Sequence, residues 1–271
     1  MSNTPFIQKL VEEYNALFQN DPTRWDDVSR NEYACQTVDL FGRATKRPAP
    51  RTLLDFGCGS GHSLSYFQNH WPEAKLYGLD LSPEAIKYAQ KRLPKANFVV
   101  GTLEQAKFDT QFDLITVLGV LEHCENPVET LKKIALNLTE SGLIYVEVPN
   151  CIAYPESEKK EGFRPLRGRS RQIEWHLYRS SWENLIAESG LSISLSLKGP
   201  NQEVEFIWIL TRNSEKITAY WKLLFQFFQV RKRLKRELTI NMKARIVRLT
   251  RRLLGDRGYE RLKSVLWRRK S

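Results

Sequence analysis

The stretch Leu53-Leu54-Asp55-Phe56-Gly57-Cys58-Gly59-Ser60-Gly61-His62 ends an apolar run in an acid and follows it with three glycines at alternate positions. The chemistry open to it is ligand binding. Glycines tolerate positive φ and let a ligand approach the backbone closely, and a helix start offers free N–H groups at a positive dipole end. The spacing Asp-x-Gly-x-Gly-x-Gly differs from the dinucleotide fingerprint Gly-x-Gly-x-x-Gly. By itself it marks either a nucleoside-cofactor turn or a strand-to-helix corner with no ligand. Two histidines are candidates for moving a proton near neutral pH: His123, in Val120-Leu121-Glu122-His123, and His176, in Glu174-Trp175-His176-Leu177-Tyr178-Arg179. For each, a structural hydrogen bond competes with a role as base. Cys35, Cys58, Cys124 and Cys151 show no C-x-x-C pairing, and with only four histidines no zinc pattern emerges, so no metal is expected.

These residues need elements to hold them. Phe6, Leu10, Val11, Tyr14, Leu17 and Phe18 recur at helical spacing, Asp21-Pro22 breaks the run, and Glu32 to Ala44 reads as a second helix. Residues 1–47 are therefore expected to form a helical N-terminal cap. Strands are expected at Thr52–Phe56, Lys75–Leu79, Ala96–Val100, Phe112–Leu118 and Gly142–Val148. Helices are expected from Ser60 to Asn69, from Ser82-Pro83-Glu84, and from Asn126-Pro127 to about Leu138. The alternation argues an α/β fold with a parallel sheet and helices on both faces. Residues 150–175 lack apolar periodicity and carry Lys159, Lys160, Arg164, Arg167, Arg169 and Arg171, the composition of a lid or a disordered loop. The arginines are either a solvated charge run or a site for a phosphate or carboxylate on the acceptor. A helix from Ser181 to Ser189 and a hairpin, Leu191–Leu197 with Glu203–Thr211, close the sheet.

The 271 residues carry a formal net charge of +11. Residues 214–271 hold 18 Lys and Arg against 4 Asp and Glu, while the remainder holds 24 basic and 27 acidic residues. A nearly neutral body with a basic tail points to a polyanionic partner for the tail. Within it, Ile217 to Val230 is apolar except for a stripe of Thr218, Lys222, Gln226 and Gln229, and Arg231-Lys232-Arg233 follows. Such a segment suits an anionic membrane surface, where each basic residue contributes about 1 kcal/mol. Packing on the body or on a second subunit, and binding of nucleic-acid phosphates, are the other readings; nucleic acid is the less favoured because no base-stacking platform accompanies the charge. The oligomeric state is left open. There is no apolar signal core at Met1–Gln8 and no membrane-spanning run. A cytoplasmic protein is expected, peripheral on the inner face of the membrane.

The order of motifs extends the argument. Asp80 lies nineteen residues past Gly61, and Gly101-Thr102-Leu103-Glu104, Phe112-Asp113-Leu114-Ile115, Val120-Leu121-Glu122-His123, Asn126-Pro127 and Gly142 to Asn150 follow in turn. From Leu53 to Arg212 the chain resembles the class I S-adenosylmethionine (SAM)-dependent methyltransferases, notably the group with ubiquinone-biosynthesis O-methyltransferases and sugar- and lipid-modifying relatives. The resemblance implies a Rossmann-like seven-stranded sheet, six strands parallel and one antiparallel, in a domain over residues 48–213; the composition makes 150–180 a basic lid loop and 214–271 a basic amphipathic helical tail. It implies SAM as cofactor, held by Asp55, Gly57, Cys58, Gly59, Gly61, Asp80, Leu81, Thr102, Leu103 and Leu118. Asp80 would accept the ribose hydroxyls and Thr102 and Leu103 would flank adenine. Many relatives carry an acid where Thr102 stands, so that contact falls to a threonine hydroxyl or to Glu104. His123 and His176 stand as the candidate bases. The expected reaction is O-methylation of a small, lipid-linked, quinone-like or sugar acceptor, an anionic one suiting the basic loop and tail. The alternatives are an RNA methyltransferase, disfavoured because Gly119-Val120-Leu121-Glu122 replaces the Asn/Asp-Pro-Pro-aromatic motif of many amino-group methylating enzymes, and a SAM-binding scaffold without transfer activity.

Overall fold

The computed structural model describes residues 5–23, 26, 34, 37–38, 48–150, 162–165, 173–198 and 205–212. Helix α1 spans Pro5–Asn20, β1 Thr52–Phe56, α2 His62–His70, β2 Lys75–Asp80, α3 Pro83–Arg92, β3 Asn97–Val100 and β4 Phe112–Leu118. A single 3₁₀ turn, Leu121–His123, follows β4. Then come α4 (Pro127–Leu136), β5 (Leu138–Pro149), β6 (Gly162–Pro165), β7 (Ile173–His176), α5 (Arg179–Glu188), β8 (Ser192–Lys198) and β9 (Glu205–Thr211).

Seven strands form one sheet in the order β3-β2-β1-β4-β5-β9-β8. The pairs β1–β2, β1–β4, β2–β3 and β4–β5 are parallel, while β9 runs antiparallel to both β5 and β8. This is the expected Rossmann-like sheet of six parallel strands and one antiparallel. The chain leaves β1 toward β2 on one side and returns to β4 on the other, so the crevice at the carboxyl ends of β1 and β4 is the switch point where open α/β sheets bind ligands.

The local reasons for these elements lie in their own residues. Ser82 caps α3 by accepting the Ala85 N–H at 3.1 Å, with Pro83 at the first helical position and Glu84 in the first turn. Asn126 does the same for α4 at the Glu129 N–H, 3.1 Å away, with Pro127 behind it. Strand β4 reads Phe-Asp-Leu-Ile-Thr-Val-Leu and is buried nearly throughout, as a central strand covered on both faces must be. The core gathers Leu54, Leu79, Ile115, Val117, Ile144 and Val146 from the sheet with Leu131, Ile134, Trp182 and Ile186 from α4 and α5.

Three expectations change. Strand β5 begins at Leu138 rather than Gly142, because a register shift opposite Phe112 and Leu114 lets the chain pair with β4 before the regular ladder starts. Helix α4 accordingly ends at Leu136. The basic stretch 150–175 contains a paired element: β6 and β7 form a separate antiparallel two-stranded sheet, Gly162 opposite His176 and Pro165 opposite Ile173. The second N-terminal helix, expected at Glu32–Ala44, falls largely outside the described residues, as does the whole tail, 214–271.

Candidate functional site

The turn after β1 is bent back on its own sheet. Gly57 and Cys58 donate their N–H groups to the Leu79 carbonyl at 2.7 and 3.1 Å, so the turn rests on the end of β2. Gly57 has φ of 78°, and a Cβ there would stand 2.2 Å from Cγ2 of Val120, the residue entering the 3₁₀ turn after β4. Gly59, with φ of 51°, has Phe18 of α1 where a Cβ would make a 3.2 Å contact. The glycines therefore serve a close approach of three segments as well as a left-handed backbone.

Around this turn lies a cavity of about 470 Å³, in the range of small-molecule sites. The carboxyl ends of β1, β2 and β4 supply Asp55, Asp80 and Leu118 to its wall, and α1 covers it with Ile7, Leu10, Tyr14 and Phe18. Of the residues expected to hold the cofactor, Asp55, Gly57, Cys58, Gly59, Asp80, Leu81, Thr102, Leu103 and Leu118 line it. Gly61 does not: it forms the N-cap position of α2, with φ of 77° and no side-chain hydrogen bond capping the helix. His123 lines the cavity and His176 stands outside it.

Asp80 is held with one oxygen on each side of the turn. Oδ2 accepts the Gly59 N–H and Oδ1 accepts the Ser82 N–H, each at 2.8 Å. Burial pushes its carboxyl above the ordinary value, and the backbone N–H groups of Ser82, Gly59 and Leu81 partly oppose that. Each oxygen keeps a lone pair for a ligand hydroxyl. Asp55 is buried and oriented from the neighbouring strand, its Oδ1 accepting the Thr116 hydroxyl at 2.7 Å. Burial, with the negative Asp80 and Asp55 nearby, pushes the Cys58 thiol well up, and burial pushes Cys124 up to about 12. Both stay protonated and neither is a nucleophile at neutral pH.

At the Thr102 end the contact in question takes a definite form. Burial would raise the Glu104 carboxyl, but hydrogen bonds from Lys133 and Thr102 outweigh it and hold the group below its ordinary value. Glu104 is thus engaged with Lys133 of α4 at 2.5 Å on the cavity rim, and the Thr102 N–H is taken by the Gln105 side chain at 3.0 Å.

Residues that sequence reasoning missed complete the site. Asp26 reaches the glycine turn from the N-terminal region: Ser60 Oγ donates to it at 2.8 Å, His62 stands 3.6 Å away and Arg92 of α3 pairs with it. Arg92 also donates to the Ser60 carbonyl at 3.1 Å. On the opposite side, His123 Nε2 lies 3.9 Å from Glu122 Oε1 and 3.9 Å from Glu174 Oε2. The Tyr14 ring stands edge-on to it with 6.2 Å between centroids. Glu174 comes from β7, whose neighbour Trp175 is tied to the 3₁₀ segment by an Nε1–H bond to the Cys124 carbonyl at 2.9 Å. His176 is buried on the same strand, its Nε2 3.7 Å from Glu174 Oε1. The pairings of Asp26 with Arg92, of His123 with Glu174 and of Trp175 with Cys124 join segments distant in the chain, and no local signal announces them.

The lining fits SAM on its own terms. Asp80 offers acceptors for hydroxyls, and the acids Asp26, Asp55, Asp80, Glu104, Glu125 and Glu129 line a volume suited to a cationic sulfonium with an ammonium group.

Comparison with known proteins agrees with this architecture. A family model described as "Methyltransferase domain" matches residues 28–195. Trans-aconitate 2-methyltransferase of Afipia carboxidovorans is 28% identical over 117 residues, covering 43% of this chain and 45% of that protein. The same enzyme of Methylobacterium radiotolerans is 31% identical over 133 residues, covering 49% of each. The chain thus spans about half the length of these curated relatives. Among solved structures, an S-adenosylmethionine-dependent methyltransferase from Clostridium acetobutylicum superposes with a TM-score of 0.57 at 12% identity, over 75% of this chain and 98% of that one. The plantazolicin methyltransferase BpumL in complex with S-adenosylhomocysteine (SAH) gives 0.57 at 22% identity, over 76% and 99%. With the model spanning more than half of the sequence and the sheet carrying its strand order, the chain belongs to the methyltransferase-domain family and has the class I SAM-dependent methyltransferase fold.

Proposed function

We propose that the protein is a SAM-dependent O-methyltransferase in which His123 takes the proton of an acceptor hydroxyl. The observation that carries this reading is the placement of His123 in the wall of the same cavity as the glycine turn and Asp80. When bound, SAM supplies an electrophilic methyl group on a sulfonium sulfur, whose bond to sulfur breaks as the acceptor oxygen attacks. The chain's own residues bind and align. Asp80 accepts the two ribose hydroxyls, and Asp55 with the glycine turn holds the amino-acid end. Leu81 and Leu103 flank the adenine, and Thr102 contributes its hydroxyl at the same end. Ile7, Leu10, Tyr14 and Phe18 exclude water above the reacting atoms. His123 moves the proton, and His176, outside the cavity, supports that side from behind Glu174.

The acceptor is proposed to be small, lipid-linked, quinone-like or sugar, brought to an anionic membrane surface by segment 217–270, with the protein cytoplasmic and peripheral on that membrane. Supporting this is the charge split between tail and body. Among the described residues no helix is long and apolar enough to cross a membrane. A second reading comes from the curated relatives, whose names specify trans-aconitate. A small carboxylate acceptor needs no base, since its oxygen is already ionised. Six carboxylates against Lys133 in the described lining oppose a tricarboxylate there.

Calorimetric titration with SAH tests the cofactor half of the proposal, and tight binding is expected. An acceptor screen with SAM, comparing hydroxylated quinones, sugars and lipids with trans-aconitate, tests the other half. Methyl transfer to trans-aconitate and to no hydroxyl compound would overturn the assignment of His123 as base. Absence of SAH binding to folded protein would favour a scaffold, and salt-sensitive RNA binding with methyl incorporation would favour the nucleic-acid reading.

A further inference from the structure

Two turns hold Asp80, and residues from the N-terminal region touch both. The Ser82 N–H reaches Oδ1 from the turn after β2, and the Gly59 N–H reaches Oδ2 from the turn after β1, each at 2.8 Å. On α1, Asn15 and Phe18 are one helical turn apart and share a face. Asn15 Oδ1 accepts the Ser82 hydroxyl at 2.7 Å and, more weakly, the Glu84 N–H at 3.4 Å. Phe18 is buried where a Cβ on Gly59 would meet its Cζ at 3.2 Å. Farther along, Asp26 accepts the hydroxyl of Ser60, the residue after Gly59, at 2.8 Å. Arg92 of α3 joins those two, donating to Ser60 Oγ at 3.0 Å and pairing with Asp26.

We infer that Asn15 and Asp26 are positioning residues for Asp80, each fixing one of the two turns whose N–H groups aim its carboxylate at the cofactor. This deepens the proposed function and rests on its reading of Asp80 as the acceptor of the ribose hydroxyls. An N–H bound to a carboxylate oxygen sets the direction of the lone pair left for a ligand only as well as its own turn is fixed.

The turn after β2 runs from Asp80 to Pro83, and Ser82 is its anchor. The Ser82 oxygen accepts the Ala85 N–H at 3.1 Å while its proton goes to Asn15. Ser82 is fully buried, so taking that acceptor away is relieved by a shift of the turn. The turn after β1 carries Gly57, Gly59 and Gly61, all with positive φ, and glycine backbone has little stiffness of its own. A tie at Ser60 restrains what the glycines leave free. Asp26 lines the cavity and Asn15 does not, so Asn15 reaches a ligand through Ser82 and Asp80. Both bonds at Asn15 are accepted by its side-chain oxygen, so an aspartate serves there and an alanine does not.

The test pairs amide exchange in the ligand-free protein with calorimetric titration of SAH. In Asn15→Ala the Ser82 N–H is expected to exchange about tenfold faster, with Gly59 changed less, and in Asp26→Ala the order reverses. SAH affinity falls by roughly three- to tenfold in each single variant, and Asn15→Asp recovers most of the loss. Coupling separates positioning from mere coverage of the cavity. In an Asp80→Ala background, Asn15→Ala and Asp26→Ala should each lower affinity by less than about twofold, because the carboxylate that they position is gone. Full additivity with Asp80→Ala overturns the inference, and so does unchanged exchange at Ser82 in Asn15→Ala. If Asn15→Ala does not fold, Asn15→Gln, which displaces the oxygen by one methylene, carries the same comparison. Unchanged SAH affinity in Asp80→Ala alone would sink the ribose reading, while exchange at Ser82 and Gly59 still decides whether the two residues hold the turns.

Discussion

The two walls of the cavity are built in different ways. The wall we propose for the cofactor is a set of strand ends: Asp55 lies just before the glycines, Asp80 ends the neighbouring strand, and backbone N–H groups of Gly59 and Ser82 hold Asp80 at 2.8 Å. The other wall, the one we propose for the acceptor, is assembled from separate pieces: α1 from the start of the chain and the 3₁₀ turn after β4, with the two-stranded sheet between β5 and α5 tied to that turn from outside the cavity. The first wall is positioned by backbone donors in the turns that follow β1 and β2. The second depends on single side-chain contacts such as Trp175 to Cys124, 51 residues apart in sequence. The cofactor wall is thus the element a family can share, and the acceptor wall is where substrate choice can change without disturbing the sheet.

Substitutions that separate the walls sharpen this comparison. The largest effect is expected at Gly57. Alanine there meets Val120 Cγ2 at 2.2 Å in a left-handed backbone. The strain should cost about 3 kcal/mol of stability, read as a lower melting temperature, and SAH affinity should fall as the turn shifts to relieve it. Adding Val120→Ala removes both Cγ atoms and should restore part of the affinity. Normal binding by Gly57→Ala alone would show that the two turns are not in contact.

Asp80→Ala comes next, with SAH affinity expected to fall between about ten- and a hundredfold as charge-assisted hydrogen bonds are lost. The fold should survive, because the strand ladder of β2 is untouched. Unchanged affinity in calorimetry would remove the ribose assignment.

The pH dependence follows from the same residue. Burial raises the Asp80 carboxyl above 3.8, so the folded protein takes up its proton at a higher pH than the unfolded chain. Ionised Asp80 therefore costs stability, and the cost sets in as pH rises from 3.8 through the raised value. Ligand hydroxyls bind the ionised form, so SAH affinity should weaken as pH falls, beginning above 3.8 and before an ordinary aspartate would respond. A flat affinity through that window in wild type would contradict the role given to Asp80.

The smallest effect belongs to the other wall. Trp175→Phe deletes the bond to the Cys124 carbonyl and should cost about 1 kcal/mol of stability, read from denaturant unfolding, with SAH affinity unchanged. A fall in SAH affinity would mean that the hairpin supports both walls and that the comparison is drawn too sharply.

What could be read from the residues followed the same division. The alternation of strands and helices and the Ser82-Pro83 and Asn126-Pro127 helix starts lie where periodicity and capping placed them, and nine of the ten residues that the family resemblance implied for the cofactor line one cavity. The hairpin within 150–175 gives no signal in the sequence because β6 and β7 have four residues each, too few for a periodic pattern. His123 and His176 looked equivalent in the chain. Topology separates them: one ends a turn at the switch point and the other is buried in a strand behind it.

The sequence by itself determined the elements and the cofactor turn, because helix caps, strand periodicity and left-handed glycines act among neighbours along the chain. Only the tertiary structure decided that Val120 closes on Gly57, that Phe18 covers Gly59, that Asp26 meets Arg92 and that Glu174 faces His123. Those contacts join segments brought together by crossovers of the sheet, and no local rule states which side chain a crossover will deliver.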